Sequence, residues 1–584
     1  MYTWNLDKFY KGLDDPQFHQ DQLRLEEKME ELSQFSLTLG QNNPRETLKK
    51  SILLGEEIHV IAAKLFGYIS LQLATDSTNA DFSNAMVVLR QKMLKTTLPE
   101  TKIDRYVALL PNLEEVIASD PLLEEVRFIL LETKANHLHL LSDEEEVLAA
   151  ELNQSGGSLF SKMQTVLTST LEVDYEGTTI PLSKVRNLAY DADPLIRKSA
   201  YFAEKLAYKK IERSSAFALN GIKKEVITMA RKRKYDSPLA RTVSDSRINN
   251  ETLDALLTAM KEYLPVFRQY LKAKAALLGH PNGLPFYDLF APMGSCTTVY
   301  TIEEAQAFIL KNFAGFSADL HDLAKRAFDE DWIDYLPKAG KSGGAFCASN
   351  YALKESRILT NFNGSIGDIS TIAHELGHAY HNFNIFEERV TNTNYPMPIA
   401  ETASILCETI VKRAAFAEAT SKEEKLGLIE QELQDATQVI VDILSRYLFE
   451  TEVFKRCEQE FLNEKALNQI MLQAQKEAYG DGLDPDFLNE GMWINKSHYY
   501  STGRSFYNFP YAFGLLFAKG IYAQYQTKGS AFVDDLKKLL RNTGKSNLMD
   551  VAGLIGIDIT KVDFWRSSLE VIKEDVNLFI ELTK

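Results

Sequence analysis

Three residues within a stretch of five, His374, Glu375 and His378, have the types and the spacing that metal-assisted hydrolysis uses. Residues four apart lie on one face of a helix, so both imidazoles can reach one tetrahedral zinc ion, with Glu375 beside its water. With 10 His and 81 Asp and Glu in 584 residues, about 0.02 accidental matches are expected. The remaining alternative is a pair of hydrogen-bonded core histidines. A helix, a third ligand and a substrate site are therefore needed as support.

The sequence around this motif predicts a helix. Asp368 is placed to cap its start. Gly377, inside the helix, costs about 1 kcal/mol relative to alanine, which is understandable if another element crosses closely there. The expected apolar stripe, which packs against the rest of the protein, consists of Ile369, Ile372, Ala373, Leu376, Tyr380 and Phe383. The opposite side of the helix, which is expected to carry the chemistry and is called its chemical side below, consists of Thr371, His374, Glu375, His378 and His381.

A third metal ligand is expected downstream of this helix. The zinc pattern with a third histidine requires glycine at 381 and histidine at 384, where this chain has His381 and Asn384. Glu401, on a helix with Pro398 near its first turn, is predicted in its place. Glu408, two turns later on the same face, is predicted to accept the outer N–H of a ligand imidazole. A solvated surface pair is the alternative for Glu408.

Three protein ligands leave the fourth position of zinc for water, as in catalytic sites. In such a site zinc polarises a carbonyl, and Glu375 is predicted to take a proton from water and pass it to the leaving amine. The tetrahedral intermediate then needs a separate donor for its oxyanion. One zinc ion per chain is expected.

The oxyanion donor is sought in the segment 497–511, which contains four tyrosines, a histidine and an arginine. Tyr507 and Tyr511 are one turn apart if a helix begins there, and their hydroxyls can donate to an oxyanion. His498 is placed to assist at the leaving group. The alternative is a core aromatic stripe.

Two short strands are predicted directly before the metal helix, at 340–347 and 357–364. The first contains Gly343, Gly344 and Ala345, small residues that allow a second backbone to approach. An extended peptide substrate can then add itself as another strand. The alternative is that the glycines only mark turns.

Composition excludes several classes of protein. A formal charge of −16 argues against nucleic acid or an anionic membrane as the main partner. The cysteines, Cys296, Cys347, Cys407 and Cys457, form no close pair, which favours a reduced compartment. The start lacks the pattern of a signal peptide and no stretch is apolar enough to span a bilayer. We expect a cytoplasmic enzyme.

Periodicity predicts amphipathic helices over 17–151, a small hairpin over 171–182, and a second helical series that starts near Asp193. The segment 286–294 is too rich in proline and aromatic residues for a regular helix. We place a boundary after the hairpin, with an N-terminal helical lobe at 1–190 and a catalytic domain at 191–584.

At this point the chain resembles the oligoendopeptidase F branch of the thimet oligopeptidase-like zinc metallopeptidases. The resemblance spans most of the chain and is carried by the stretches 4–10, 287–292, 341–346, 370–378, 401–404, 498 and 506–511. It implies a mainly α, two-lobed molecule with a deep central channel and a small sheet beside the active-site helix. It also implies zinc on His374, His378 and Glu401, with Glu375 as general base. Donors to the transition state would come from His498, Tyr507 and Tyr511, with Tyr500 in reserve.

With this resemblance, the expected function is that of a zinc endopeptidase that acts on oligopeptides, as a monomer. Two other functions compete with it. A dipeptidyl peptidase or carboxypeptidase would use Arg504 to hold the substrate carboxylate. A peptide-binding protein with a degenerate metal site is the second, and the intact motif together with Glu401 argues against it.

Overall fold

A computed structural model describes residues 2–294 and 298–584 of the chain, so Cys296 lies outside the described residues. Most of the described chain is helical, with only short strands in these residues. The prediction of a mainly α fold is confirmed. No helix in this part of the chain is long and apolar enough to cross a membrane.

Helices follow one another along most of the chain, and they are numbered in chain order. The first thirteen helices are α1 (Pro16–Ser36), α2 (Pro44–Thr75), α3 (Ala80–Met93), α4 (Thr97–Leu109), α5 (Leu113–Ala118), α6 (Pro121–Glu125), α7 (Arg127–His137), α8 (Asp143–Ser155), α9 (Gly157–Ser169), α10 (Leu182–Asn187), α11 (Pro194–Lys232), α12 (Pro238–Asp245) and α13 (Asn250–Leu277). The others are α14 (Ile302–Phe316), α15 (Ala318–Asp329), α16 (Ile366–Ile385), α17 (Met397–Ala400), α18 (Thr402–Glu418), α19 (Lys422–Thr437), α20 (Ile443–Cys457), α21 (Glu464–Tyr479), α22 (Met492–Asn495), α23 (Phe509–Lys528), α24 (Phe532–Asn542), α25 (Leu548–Gly553) and α26 (Val562–Thr583). The strands are β1 (Glu172–Tyr175), β2 (Thr178–Pro181), β3 (Ile333–Asp334), β4 (Phe346–Asn350) and β5 (Glu355–Leu359).

Local signals explain where several elements begin. The long helix α11 starts as predicted: the Asp193 side chain accepts the N–H of Leu195, and Pro194 occupies the first turn, where its missing N–H costs nothing. β1 and β2 pair antiparallel, so the predicted hairpin is confirmed. The proline-rich segment contains only a short 3₁₀ turn, Phe286–Asp288, as its composition indicated.

Contacts divide the chain into two compact units, each built from three stretches. The first consists of Met1–Leu138, Thr297–Ala415 and Gln524–Ile557, and the second of His139–Cys296, Phe416–Ala523 and Asp558–Lys584. The boundary placed at 190/191 lies inside a continuous stretch of the second unit. A local change of sequence pattern marks that position, and such a change does not report the long-range contacts that define these units.

The first unit contains a three-stranded sheet in the order β3-β5-β4, packed against α16. The central strand, β5, is parallel to β3 and antiparallel to β4, and every one of its residues is buried. β4 is therefore an edge strand, and its outer side is not paired with another strand of the described chain. Such an edge can accept an extended peptide.

The glycine-rich part of the predicted first strand is a turn. Gly343, Gly344 and Ala345 precede β4, and Gly344 has a φ of +76°, which a strand does not use. The Asn361 side chain holds this turn by donating to the carbonyl of Gly344 at 2.8 Å. The prediction of strand for these three residues was wrong because glycines at a sheet edge and in a tight turn look alike in sequence.

The residue that caps the N-terminus of α16 lies three positions before the predicted one. Ser365, not Asp368, is the N-cap, and its hydroxyl accepts the N–H of Asp368 at 3.1 Å. Asp368 is the third helical residue, and its carboxylate accepts the N–H of Ser365 at 2.9 Å. The two residues form a reciprocal capping box, in which either one reads as a capping residue from sequence.

The expected close crossing at Gly377 is present. A Cβ at this position would lie 2.5 Å from both the carbonyl oxygen of Ala403 and the Cα of Ser404. The start of α18 thus presses backbone to backbone against α16. This contact brings the residue before α18, Glu401, to the turn of α16 that carries the two histidines.

We expect Gly377→Ala to lower the melting temperature, because the clash, on the order of 1–3 kcal/mol, exceeds the gain of about 1 kcal/mol in helix propensity. Gly55→Ala is the matched control, since Gly55 is also inside a helix but a Cβ there meets nothing within 4 Å. In thermal unfolding, the melting temperature should fall in Gly377→Ala and rise in Gly55→Ala. Equal shifts would show that the crossing at Gly377 does not require glycine.

Candidate active site

Helix α16 presents His374 and His378 on one face, one turn apart. Their ring centroids are 5.0 Å apart and both side chains are partly exposed, at 25% and 20%. Glu375, one residue round the helix, is buried. The first unit therefore holds the two imidazoles and the carboxylate of the motif on rigid helical backbone, as the spacing predicted.

Glu401 completes a three-residue donor group with these histidines. Its Oε2 lies 3.3 Å from His374 Nε2 and 3.5 Å from His378 Nε2. Tetrahedral zinc with bonds of about 2.0–2.1 Å requires about 3.4 Å between ligand atoms. In the described residues, this is the group of His, Cys, Asp or Glu with the spacing of a metal site. Two imidazole nitrogens and one carboxylate oxygen fit zinc.

The Glu401 carboxylate is held by a residue that sequence reasoning did not single out. Ser404 Oγ donates to Glu401 Oε2 at 2.9 Å. The spacing of three residues at a helix start was the available signal. Although burial raises the pKa of Glu401, its contacts with the two histidines and Ser404 bring it down to about 2. Glu401 is thus ionised, as a metal ligand must be.

Glu408 contacts the outer nitrogen of a histidine in the donor group. Its Oε2 lies 2.9 Å from His374 Nδ1, and its other oxygen lies 2.6 Å from Lys412 Nζ. An Nδ1–H that donates to a carboxylate leaves Nε2 to bind a metal ion in the site that His374 shares with Glu401. Glu408 is therefore placed to fix the tautomer and the orientation of His374.

The buried carboxyl of Glu375 titrates near neutrality. Burial raises its pKa to about 7, against the opposing charge of His374 and with the support of the nearby carboxylates of Glu401 and Glu408. A carboxyl with such a pKa is matched to accepting and returning a proton at neutral pH.

His381 does not belong to the chemical side of the helix, which corrects the prediction. It is fully buried, its Nε2 lies 2.9 Å from Thr543 Oγ1, and its ring stacks on Tyr395 at 4.1 Å. Burial lowers its pKa to about 3. Phe383, expected in the apolar stripe, is 42% exposed. In the last turns of α16, the side predicted to be chemical is therefore buried at His381, and the side predicted to be apolar is exposed at Phe383.

The second unit brings together Tyr507 and Tyr511. Their hydroxyl oxygens are 2.8 Å apart, because α23 begins at Phe509 and places Tyr511 in its first turn. The His498 ring lies 6.0 Å from that of Tyr507. The two hydroxyls form one hydrogen-bonded pair, so they can act as a unit.

His498 is neutral across the working range of most enzymes. Burial, together with the charges of Arg446, Lys496 and Lys223, lowers its pKa to about 3. Its Nε2 has no hydrogen-bond partner in the described part of the chain. A neutral imidazole of this kind is suited to donating or accepting a single hydrogen bond.

Two further candidates have different surroundings from those expected. Tyr500 is 2% exposed and lies in the interior of the second unit, so it is not available to a peptide in this structure. Arg504 is exposed and lies over the ring of Tyr507, with its guanidinium 5.6 Å from the ring centroid.

Comparison with known proteins identifies the family of this chain. The model of Peptidase family M3 matches residues 187–571, and that of Oligopeptidase F matches residues 111–172. The Oligoendopeptidase F homolog of Borreliella burgdorferi is 25% identical over 563 residues, which are 91% of each chain.

Solved structures share the fold. The structure of a peptidase from Chlamydophila abortus has a TM-score of 0.85 at 20% sequence identity, and the match covers 100% of this chain and 98% of the Chlamydophila chain. The oligoendopeptidase-F from Enterococcus faecium has a TM-score of 0.71 at 18% identity, with 97% and 98% covered. Because the M3 model covers more than half of the chain and includes the donor group, the chain belongs to peptidase family M3 and is a metalloendopeptidase of the oligoendopeptidase F type.

Proposed function

We propose that this chain is a zinc-dependent endopeptidase that hydrolyses short, unfolded oligopeptides. The observation that carries the zinc assignment is the separation of 3.3 and 3.5 Å between Glu401 Oε2 and the two histidine nitrogens. The names of the relatives, oligoendopeptidase F and oligopeptidase, support the substrate class.

The residues divide the chemistry between them. Zinc, when bound to His374, His378 and Glu401, polarises a peptide carbonyl and makes water a better nucleophile. Glu375 accepts the proton of the attacking water and returns it to the amine of the leaving peptide. Glu408 accepts the Nδ1–H of His374 and so keeps the His374 ring in the orientation that metal binding requires.

Substrate contacts are assigned to two further elements. The outer edge of β4, with Gly343, Gly344 and Ala345 before it, receives the extended peptide backbone. Tyr507 and Tyr511, with His498, supply hydrogen-bond donors for the oxyanion. The hydroxyl pair supports this assignment, since a hydroxyl that accepts a hydrogen bond from its neighbour becomes a stronger donor itself.

The setting of the enzyme is part of the same proposal. We assign it to the cytoplasm, with oligopeptides as partners and the monomer as its form. Cys347, Cys407 and Cys457 are free thiols, which supports a reduced compartment.

Glu375→Gln should lose activity by about 10²–10⁴-fold, because the amide cannot accept the proton. Zinc content should stay near one per chain, since Glu375 is not among the ligands. Hydrolysis of an internally quenched peptide and metal analysis of the same sample test this together. Full activity in Glu375→Gln, or wild-type chain without stoichiometric zinc, would contradict the mechanism.

Glu408→Ala should weaken zinc binding about 10- to 100-fold by removing the acceptor for His374 Nδ1–H. Glu408→Gln is the matched variant, because its amide oxygen can still accept that hydrogen bond, and its loss should be smaller. Competition with a zinc chelator measures both affinities. Identical affinities in the two variants would show that the contact does not orient His374.

Peptides with a C-terminal amide should be cleaved as well as the same peptides with a free carboxylate, since an endopeptidase does not bind the chain end. Arg504→Met should change both rates alike. If the amide abolished cleavage, or if Arg504→Met slowed the free-acid peptide alone, the enzyme would act from the C-terminus.

A further inference from the structure

The backbone next to Tyr507 has an unusual conformation. Phe506 has a φ of +51°, in the left-handed region that residues with a Cβ rarely adopt. A residue stays in that region only where its surroundings determine it. The direction in which Tyr507 leaves the backbone therefore depends on what holds Phe506.

A buried carboxylate holds this turn. The N–H of Phe506 donates to Glu450 Oε2 at 3.0 Å, and Lys223 Nζ donates to Glu450 Oε1 at 2.6 Å. The Lys223 and Glu450 side chains are 0% and 2% exposed. Glu450, on α20, thus joins α11 to the backbone of the residue before Tyr507.

The residue after Tyr507 is held by the same helix. Arg446, which also pairs with Asp442, donates to Asn508 Oδ1 at 3.0 Å. Residues 446 and 450 are one turn apart and lie on the same face of α20. Both neighbours of Tyr507 are therefore fastened to one face of one helix.

Packing fixes the ring of Phe506 as well. It lies 5.5 Å from the ring of Phe454 and 5.3 Å from that of Tyr447, measured between centroids. Both rings belong to α20. The left-handed turn is thus held by this helix through its backbone and its side chain.

From these contacts we propose that the face of α20 carrying Arg446 and Glu450 positions the Tyr507–Tyr511 hydroxyl pair, with Glu450, paired to Lys223, as its main anchor. This inference rests on the proposed function, in which those hydroxyls stabilise the oxyanion. A buried ion pair gives little net stability over an apolar pair of similar volume. An apolar pair at these two positions would leave the N–H of Phe506 without its acceptor and release the turn.

The test uses the full-length, zinc-loaded enzyme with both buried charges replaced, Lys223→Met/Glu450→Met. We expect kcat to fall about 10- to 100-fold with KM nearly unchanged, because a misplacement of about 1 Å costs rate rather than ground-state binding. Zinc content should remain stoichiometric.

Two matched variants separate position from stability. Lys223→Met/Glu450→Gln puts back an acceptor for the N–H of Phe506 and should recover most of the lost kcat. Lys274→Met/Glu430→Met removes another buried ion pair of the second unit, at 2.5 Å and with 0% and 5% exposure, and should leave kcat unchanged. A loss of kcat in the second variant equal to that in Lys223→Met/Glu450→Met would overturn the inference.

Tyr507→Phe, made alone and in Lys223→Met/Glu450→Met, distinguishes the two proposals. If Tyr507→Phe alone keeps full kcat, the role of this hydroxyl in the proposed function is wrong. If it lowers kcat by the same factor in both backgrounds, Tyr507 acts but Glu450 does not position it. The expected result is a large effect alone and a small one in the double variant.

Asn508→Ala provides a second route if the double variant does not fold, because it removes the attachment to Arg446. We expect the same pattern of lower kcat and unchanged KM. Undiminished kcat in folded Asn508→Ala would overturn the proposal that this helix face positions the tyrosines.

Discussion

The donor group depends on the backbone contact between α16 and the start of α18. One helix can offer two imidazoles through a spacing of four residues, but its own geometry supplies no third ligand at tetrahedral distance. Glu401 reaches the histidines only because nothing larger than a hydrogen atom stands between Gly377 and the backbone of Ala403 and Ser404. A glycine inside a helix lowers helix stability, but at this position it allows the carboxylate of Glu401, at the start of another helix, to approach the histidines.

Periodicity predicted the direction of side chains on α16 but not what covers them. His381 is seven residues from His374, so it lies on nearly the same side of the helix. It is nevertheless a packed core residue, because Thr543 and Tyr395 cover that turn. A residue distant in sequence decides the environment of His381, and no local pattern reports it. The same limit explains why Phe383 is exposed although its position in the stripe is regular.

The parts predicted correctly from sequence are those with local causes: the start of α11 at Asp193, the hairpin predicted over 171–182 and the helix that carries the motif at 374–378. The division of the chain into compact units has no such local cause. The two family models match 111–172 and 187–571, so the gap between them ends a few residues before the boundary placed at 190/191, whereas the compact units each combine three separated stretches. Sequence families follow the order of the chain, and compact units follow contacts that the chain makes after it folds.

Buried charge in the second unit needs its own explanation, because ion pairs in the interior lose much of their attraction to desolvation. Lys223–Glu450 and Lys274–Glu430 each do more than pair. Glu450 also accepts the N–H of Phe506, and Lys274 also donates to the carbonyl of Leu289. An apolar replacement would satisfy the packing and leave these backbone groups without partners. These two ion pairs of the second unit therefore hold irregular backbone, and Tyr507 directly follows the turn that one of them holds.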